Sequence, residues 1–210
     1  MWGDIKMTLM DAKRNFVVDT AINLFKEKNV SAVTIKEIAK ACGLGEATIY
    51  RYFSGKHELV VACALKLQAQ TEKMFVKCNP DNEVGYKAIE KFYLVFLETF
   101  KNKPWLYRFL SDFDAYCVSE KIENLDEYAD NMDRFKAAFA VAYSAGVKEG
   151  SVRDVGDIDL FYYSTTHAIL SLCKKLASGE GVLRQDRDID KYAEIETLVR
   201  IILLSLKTAV

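Results

Sequence analysis

The chain has 210 residues, half of them hydrophobic, and its formal net charge at pH 7 is −1. This length fits one large domain or a small domain fused to a larger one, and the near-zero charge excludes a uniformly basic coat for nucleic acid. A local basic surface remains compatible with the sequence, because residues 1–60 contain nine Lys and Arg against seven Asp and Glu.

Cysteine and histidine usage argues against a metal centre. No two of the five cysteines have C-x-x-C spacing, and the chain has only two histidines. We expect reduced thiols that mostly fill the core: Cys42, Cys63, Cys78, Cys117 and Cys173. The N-terminus has no apolar signal-peptide segment, and no run of about 18 apolar residues could cross a membrane. We therefore expect a cytoplasmic protein with no cofactor, metal or membrane anchor.

Apolar residues recur at helical spacing along almost the whole chain, and alternating strand patterns are absent. The pattern predicts an all-α fold without internal repeats. In chain order, the predicted helices cover residues 11–28, 35–41, 45–52, 55–77, 83–101, 104–118, 122–147, 157–178 and 188–208.

The second and third predicted helices have the features of a helix-turn-helix motif. Thr34 is a good N-cap, and Glu37 three residues later completes a capping box. Gly43 lies between the helices, where a left-handed backbone is favourable only for glycine, and Ala39 is small enough for the third helix to cross it closely. A short turn that contains glycine is typical of this motif. The residues expected to bury between the two helices are Ile38, Leu44 and Ile49.

The exposed side of the third helix is the candidate DNA-binding surface. In this motif the second helix enters the major groove with its N-terminus first, so that its free amides face phosphate. Tyr50 and Tyr52 are expected to donate hydroxyls to phosphate or stack on sugar, while Phe53 turns inward. Lys56 and Thr34, each at a helix start, are expected to reach backbone phosphates. The complete predicted set is Thr34, Gly45, Glu46, Ala47, Thr48, Tyr50, Arg51, Tyr52 and Lys56.

The segment VTIKEIAKACGLGEATIYRYFSGKHELV resembles the DNA-binding signature of the TetR family of bacterial transcriptional regulators. The resemblance covers Lys13 to Val61, about a quarter of the chain. Where the family usually has a serine-like cap this chain has Gly45, an acceptable N-cap. Glu46 replaces a basic or small residue and can accept from a cytosine amino group. The resemblance implies a DNA-binding domain at residues 1–55 and a helical effector-binding and dimerisation domain at 56–210.

The resemblance also implies a homodimer that binds double-stranded operator DNA. The apolar faces of the last two helices suit a two-helix contribution to a dimeric four-helix bundle, although the same faces would also suit an intramolecular core. The predicted dimer-interface residues are Phe161, Thr165, Ala168, Leu172, Ile195, Val199, Ile202, Leu203 and Leu206.

The resemblance also implies a small effector, and the leading interpretation is a repressor that an apolar or aromatic effector releases from DNA. The middle of the chain is rich in aromatic residues, and ligand sites are mostly apolar cavities with a few polar groups. An aromatic stripe also fits plain core, and His167 also fits a core or surface role. The predicted effector-binding residues are Phe96, Phe100, Trp105, Phe109, Phe113, Phe139, Tyr143, Tyr163 and His167.

Two other classes of function remain to be compared with a repressor. No nucleophile, base and orienting group occur in a recognisable set, so we predict that the chain is not an enzyme. The alternative is a TetR-like DNA-binding interaction protein that acts on nucleoid or division machinery without a small-molecule effector. A map of bound genomic sites separates these, because a repressor occupies few promoters and the alternative occupies many dispersed sites.

Overall fold

A computed structural model describes residues 9–79, 83–179 and 188–208, and these ranges contain nine α-helices and no strand. The all-α prediction is confirmed. The helices are α1 (Leu9–Glu27), α2 (Ile35–Cys42), α3 (Glu46–Tyr50), α4 (Lys56–Cys78), α5 (Gly85–Asn102), α6 (Pro104–Ser119), α7 (Asp126–Glu149), α8 (Ile158–Ala177) and α9 (Lys191–Leu206).

Local hydrogen bonds explain where the observed helices differ from the predicted ones. Helix α9 begins at Lys191 rather than at residue 188, because the Asp190 side chain caps it by accepting from the amides of Tyr192 and Ala193. Helix α7 begins at Asp126, four residues later than predicted, because the Leu125 amide donates to the Glu123 carbonyl at 3.1 Å, a contact between residues two apart that a helix does not make.

The chain folds into two compact units. The first, which we call the head, extends to Lys66 and also includes Asp112–Leu125. The second, which we call the helical domain, comprises Leu67–Ser111 and the chain from Asp126 onward. Helices α4 and α6 therefore each contribute residues to both units. The predicted division after residue 55, between a DNA-binding and an effector domain, stays a prediction about function.

Burial of apolar side chains from α1, α2, α3 and the start of α4 stabilises the head. Helix α1 buries residues at helical spacing, as expected for an amphipathic helix with one core-facing stripe. Cys63 on α4 is fully buried and donates from Sγ to the Val18 carbonyl at 3.7 Å. The largest fully buried side chains of the head are Ile38, Ile49, Phe53, Leu59 and, from α6, Phe113.

The helical domain is organised around α5, which packs against α7, α8 and α9. Its core contains a cluster of aromatic rings in which Phe92 lies 4.9 Å from Phe75 and 5.2 Å from Phe139, measured between ring centroids. The Phe139 ring also lies 5.3 Å from that of Tyr162. Tilted and edge-to-face rings at these distances add to the free energy gained from burial. Among the described residues, no helix is long and apolar enough to cross a membrane.

Candidate DNA-binding site

The start of α2 is held by the capping box that the sequence predicts. The Glu37 amide donates to Thr34 Oγ1 at 3.2 Å, and the Thr34 amide donates to Glu37 Oε2 at 2.9 Å. Lys28 Nζ donates to the other carboxylate oxygen at 2.8 Å. The bond from Lys28 and those from Thr34 lower the pKa of Glu37 to about 2. The backbone amides of Thr34 and Glu37, which have no carbonyl partner within the helix, are therefore both hydrogen-bonded, so α2 begins at one defined residue.

Gly43 ends α2 in the left-handed conformation, with φ 66° and ψ 29°. Its amide donates to the Lys40 carbonyl at 3.1 Å, and the Leu44 amide donates to the Ala39 carbonyl at 2.9 Å. This pair of bonds is the glycine-dependent C-cap of a helix, and it turns the chain sharply into α3. The left-handed backbone predicted at Gly43 is confirmed.

Burial between α2 and α3 confirms most of the predicted contacts. Ile38 and Ile49 are fully buried and Ala39 is 2% exposed, so the two helices approach closely at the small residue. Leu44 is only half-buried, which corrects the prediction that it would bury with the two isoleucines. Because Leu44 lies in the turn, part of its side chain faces outward.

The N-terminal end of α3 is open to solvent. Its N-cap, Gly45, has an extended backbone and provides no side-chain hydrogen bond to the helix. Four of the predicted DNA-binding residues on and beside α3 are exposed together with it, and Thr48 is half-buried. The exposed four are Glu46, Ala47, Tyr50 and Arg51. Free backbone amides beside exposed polar side chains are suited to contact with phosphate and base edges.

Tyr52 and Phe53 are both core residues of the head. Phe53 is 1% exposed, as predicted, and the Arg14 guanidinium lies 4.6 Å from its ring centroid. Tyr52 is 9% exposed, whereas the sequence interpretation directed it toward DNA. The Arg51 guanidinium lies 5.5 Å from the Tyr52 ring, and its Nη2 is 3.4 Å from the tyrosine hydroxyl. Burial of Tyr52 thus positions the exposed Arg51.

Two predicted phosphate ligands are occupied by contacts within the head. Lys56 Nζ donates to the Ser31 carbonyl at 3.0 Å and lies 5.2 Å from the ring centroid of Tyr116 on α6. Burial lowers the pKa of Lys56. The Thr34 hydroxyl accepts from the Glu37 amide in the capping box. In this conformation both residues stabilise the head, and each would have to exchange a contact in order to reach DNA.

Lys36 and Lys40 are exposed cations on α2 that the sequence interpretation did not include. They are four residues apart and therefore lie on the same face of the helix. The signal was present in the sequence, because the buried positions of α2, Ile35, Ile38 and Ala39, leave these lysines on the other side.

Residues 17–63 match the family model for bacterial regulatory proteins of the tetR family. An uncharacterised helix-turn-helix transcriptional regulator of Bacillus subtilis, YerO, is 35% identical over 78% of this chain and 56% of its own length. A second B. subtilis regulator, YuxN, is 32% identical over 25% of this chain and 18% of its own length. Residues 17–63 therefore form a DNA-binding domain of the TetR family. The chain spans only about half, or less, of the length of these two relatives.

Solved structures show the same fold along nearly the whole chain. A transcriptional regulator from Saccharomonospora viridis, solved in complex with choline, covers 94% of this chain and 99% of its own, with 19% identity and a TM-score of 0.75. The ketosteroid regulator KstR2 of Mycobacterium tuberculosis covers 94% and 96%, with 16% identity and a TM-score of 0.66. The named relatives are transcriptional regulators, a class of protein that is not enzymatic.

The nine predicted effector-binding residues differ in exposure and are distributed over both units. Phe109, Phe113, Phe139 and Tyr143 are buried, whereas Tyr163 and His167 are exposed. The remaining three are half-buried: Phe96, Phe100 and Trp105. Phe113 belongs to the head and the other eight to the helical domain.

A groove of about 470 Å³ lies between α4, α5 and α7 of the helical domain, and we call it the α4/α5/α7 groove. Of the predicted effector-binding residues, Phe139 alone is among its lining residues. The others that line it with aromatic rings are Phe75, Phe92 and Phe135. Sequence reasoning missed these three because helical spacing shows that a residue is apolar, and not whether a cavity lies beside it.

The structure divides the predicted dimer-interface residues into two groups. Five of them belong to the core of a single chain: Ile195, Val199, Ile202, Leu203 and Leu206. Phe161 and Leu172 are half-buried against that core, and the Thr165 hydroxyl lies 2.7 Å from that of Tyr93. Ala168 is exposed. The apolar stripe of α9 therefore packs within the chain, as the intramolecular alternative would have it.

Proposed function

We propose that the chain is a homodimeric transcriptional repressor that binds operator DNA through α3 and is released by a small apolar or aromatic effector. The observation that carries the DNA-binding part is the open N-terminus of α3, with Glu46, Tyr50 and Arg51 exposed beside it. The match of residues 17–63 to the TetR family supports the same assignment.

DNA binding is tested with the purified chain and promoter fragments by fluorescence anisotropy. If about six phosphates are neutralised per dimer, the logarithm of affinity falls against the logarithm of salt with a slope near −5. Tyr50→Ala and Arg51→Gln should weaken binding to all sequences about equally, since phosphate contacts carry no base information. Glu46→Ala and Thr48→Ala should instead change base preference. Val118→Ala, on an 80% exposed residue of α6, is the matched control.

We propose that the partner chain packs on the exposed side of α8 and α9. Helix α9 exposes Ile201 and Leu204 by 57% and 56%, one turn apart. On α8, Leu160 is 64% exposed and Ala168 is exposed too. A bundle face cannot bury an unpaired charge, so Ile201→Glu with Leu204→Glu should yield folded monomers by light scattering. A charge at Ile202 should unfold the chain instead, since that side chain is in the core.

Release of DNA is proposed to operate through α4 and α6, because each continuous helix has residues in both units. In the head, Asn29 Nδ2 donates to Asp112 Oδ1 of α6 at 2.7 Å, beside the Lys56–Tyr116 contact described above. In the helical domain, Tyr107 of α6 donates to the Phe96 carbonyl at 2.9 Å. The choline complex of the S. viridis regulator supports the capacity of this fold to hold a small molecule.

The effector part is tested by reciprocity. A hundredfold release corresponds to about 2.7 kcal/mol of differential affinity, within the range for coupled sites, and operator DNA must then weaken effector binding by the same factor. A compound that raises the melting temperature and leaves operator affinity unchanged would show binding without release. A genomic map with many dispersed sites would favour the nucleoid or division alternative over a repressor.

A further inference from the structure

The α4/α5/α7 groove has an apolar floor and an apolar rim. Phe75, Phe92, Phe135 and Phe139 line it with rings, and three exposed valines edge it: Val76 (70% exposed), Val84 (50%) and Val141 (68%). Its volume of about 470 Å³ lies within the range of about 300–1,000 Å³ that is usual for small-molecule sites. Exposed valines that surround aromatic rings suit an apolar ligand body of modest size.

One end of the groove is closed by polar groups that satisfy one another. Asn79 Nδ2 donates to the Glu83 carbonyl at 2.8 Å, and the Glu83 amide donates to Asn79 Oδ1 at 2.9 Å. The Glu83 carboxylate is paired with Lys91 and with Lys87, and these lysines lower its pKa, Lys91 more strongly. Since the Glu83 carboxylate is already engaged by two lysines, this end offers no free carboxylate to a cationic ligand.

Two charged residues of opposite sign line the groove elsewhere, Glu72 on α4 and Arg134 on α7. Neither makes a hydrogen bond or ion pair with any other residue in the described ranges. Glu72 is half-buried and Arg134 is exposed. An unpaired carboxylate and an unpaired guanidinium on one groove provide both an acceptor for a cation and a bidentate donor for an anion.

Contacts between α4 and α7 place these two charges on the same side of the groove. Gln68 Nε2 donates to the Tyr128 carbonyl at 3.0 Å, and further along both helices the rings of Phe75 and Phe135 lie 5.1 Å apart. The two helices therefore run in the same direction here. Glu72 precedes Phe75 by one turn, and Arg134 immediately precedes Phe135. Both charged residues therefore precede the contact between Phe75 and Phe135, on the side of the groove away from Asn79.

We propose that this groove binds an amphipathic zwitterion, of the kind represented by an α-amino acid with a long apolar side chain. Glu72 accepts from the ligand's ammonium group, Arg134 donates to its carboxylate, and the side chain lies over the phenylalanines toward the valines. This inference deepens the proposed function by naming the class of effector and its site, and it rests on that function only for the consequence at DNA.

The test uses the full chain and isothermal titration calorimetry with four ligands that share one alkyl chain: 2-aminooctanoic acid, octanoic acid, octylamine and octanol. We expect the amino acid to bind about tenfold or more tightly than either singly charged analogue, because a charged hydrogen bond is added at each step. Equal affinities for the amino acid, octanoate and octylamine would overturn the proposal, as would the absence of binding.

Matched variants test which group of the ligand Glu72 and Arg134 each bind. Glu72→Gln should remove the preference for the amino acid over octanoate, which lacks the ammonium group. Arg134→Gln should remove the preference for the amino acid over octylamine, which lacks the carboxylate. Ala138→Trp, on an exposed lining residue, should weaken all four ligands. Lys73→Gln and Asp133→Asn change exposed neighbours that do not line the groove and should have no effect. Unchanged selectivity in both Glu72→Gln and Arg134→Gln would contradict the assignment.

Operator binding, measured on the same samples, separates the two proposals. No ligand binding with intact operator binding would overturn the groove assignment and leave the DNA-binding function standing. Selective ligand binding without DNA release would support the groove assignment and contradict release by this class of effector.

Discussion

The turn between α2 and α3 in the head and the aromatic core of the helical domain are stabilised in different ways. The turn depends on bonds between residues close in sequence, namely those from the Gly43 and Leu44 amides to the end of α2, just as the capping box of Thr34 and Glu37 fixes the start of that helix. The aromatic core depends on rings from four helices, with Phe75, Phe92, Phe139 and Tyr162 far apart in the chain. Local motifs restrict which residue can occupy each position of the backbone. A core restricts mainly the total volume and the apolar character of the side chains that fill it.

The strongest test of this difference is Phe139→Ala in the aromatic core. The ring is 1% exposed and lies within 5.2–6.0 Å of three other rings, by centroid distance. Its removal should lower the free energy of unfolding by about 3–5 kcal/mol through lost burial and a residual cavity. Guanidinium denaturation measures the change. Val141→Ala, on an exposed side chain, is the control, and a similar loss in both variants would contradict a core role for Phe139.

The matching test in the turn is Gly43→Ala. A residue with a Cβ at φ 66° is strained, so we expect a loss of about 1–2 kcal/mol. Since a Cβ on Gly43 would meet no atom within 4 Å, the loss would come from the backbone conformation rather than from packing. Gly43→Asn should lose less, because asparagine tolerates this conformation. Equal losses in the two variants would show that strain in the left-handed backbone is not the cause of the lost stability.

Tyr93→Phe measures how much a side-chain hydrogen bond inside the aromatic core contributes to the free energy of unfolding. The Tyr93 hydroxyl lies 2.7 Å from that of Thr165, and burial raises the pKa of the tyrosine well above its ordinary value. We expect a loss of about 0.5–1.5 kcal/mol, well below that of Phe139→Ala. Thr165 keeps its bond to the Phe161 carbonyl at 2.7 Å, so its hydroxyl is not left unpaired. A loss as large as that of Phe139→Ala would mean that hydrogen bonds, not ring packing, hold this core.

The smallest expected effect is a pH dependence that arises from Glu37, the carboxylate of the capping box. The pKa of Glu37 falls from 4.5 to about 2 on folding, chiefly through the bond from Lys28. A lowered pKa stabilises the folded state fully above pH 4.5, and that contribution is lost as the pH falls through about 2. Between about pH 5 and about pH 3 the wild type should therefore lose more stability than Glu37→Gln. Parallel pH profiles in thermal melts would argue that the carboxylate is not linked to folding.

The predictions that succeeded were those about elements whose cause is local. The helices of the head, the N-cap Thr34 and the left-handed Gly43 follow from residue types within a few positions of one another. Phe53 was correctly placed in the core, yet its neighbour Tyr52 was directed toward DNA and is 9% exposed. Tyrosine suits both places, and only the tertiary structure, in which the Tyr52 side chain is buried in the head, distinguishes them.

The predicted dimer-interface residues show that helical periodicity predicts burial but not the packing partner. An apolar stripe such as that of Ile195, Ile202 and Leu206 shows that one face of α9 is buried, without showing whether it packs within the chain or against a partner chain. The exposed Ile201 and Leu204 interrupt the polar face of the same helix and became recognisable only when α9 was seen packed in the core.

The helical content, the helix-turn-helix and the similarity of residues 17–63 to the TetR family follow from the amino-acid sequence, because each depends on short-range spacing of residue types that have few conformational choices. Tertiary structure alone decided which aromatic rings fill the core and which line the α4/α5/α7 groove. It also decided that Glu72 and Arg134 lie on the same side of that groove. These features depend on how separate helices are aligned against each other, and the helical period carries no information about that alignment.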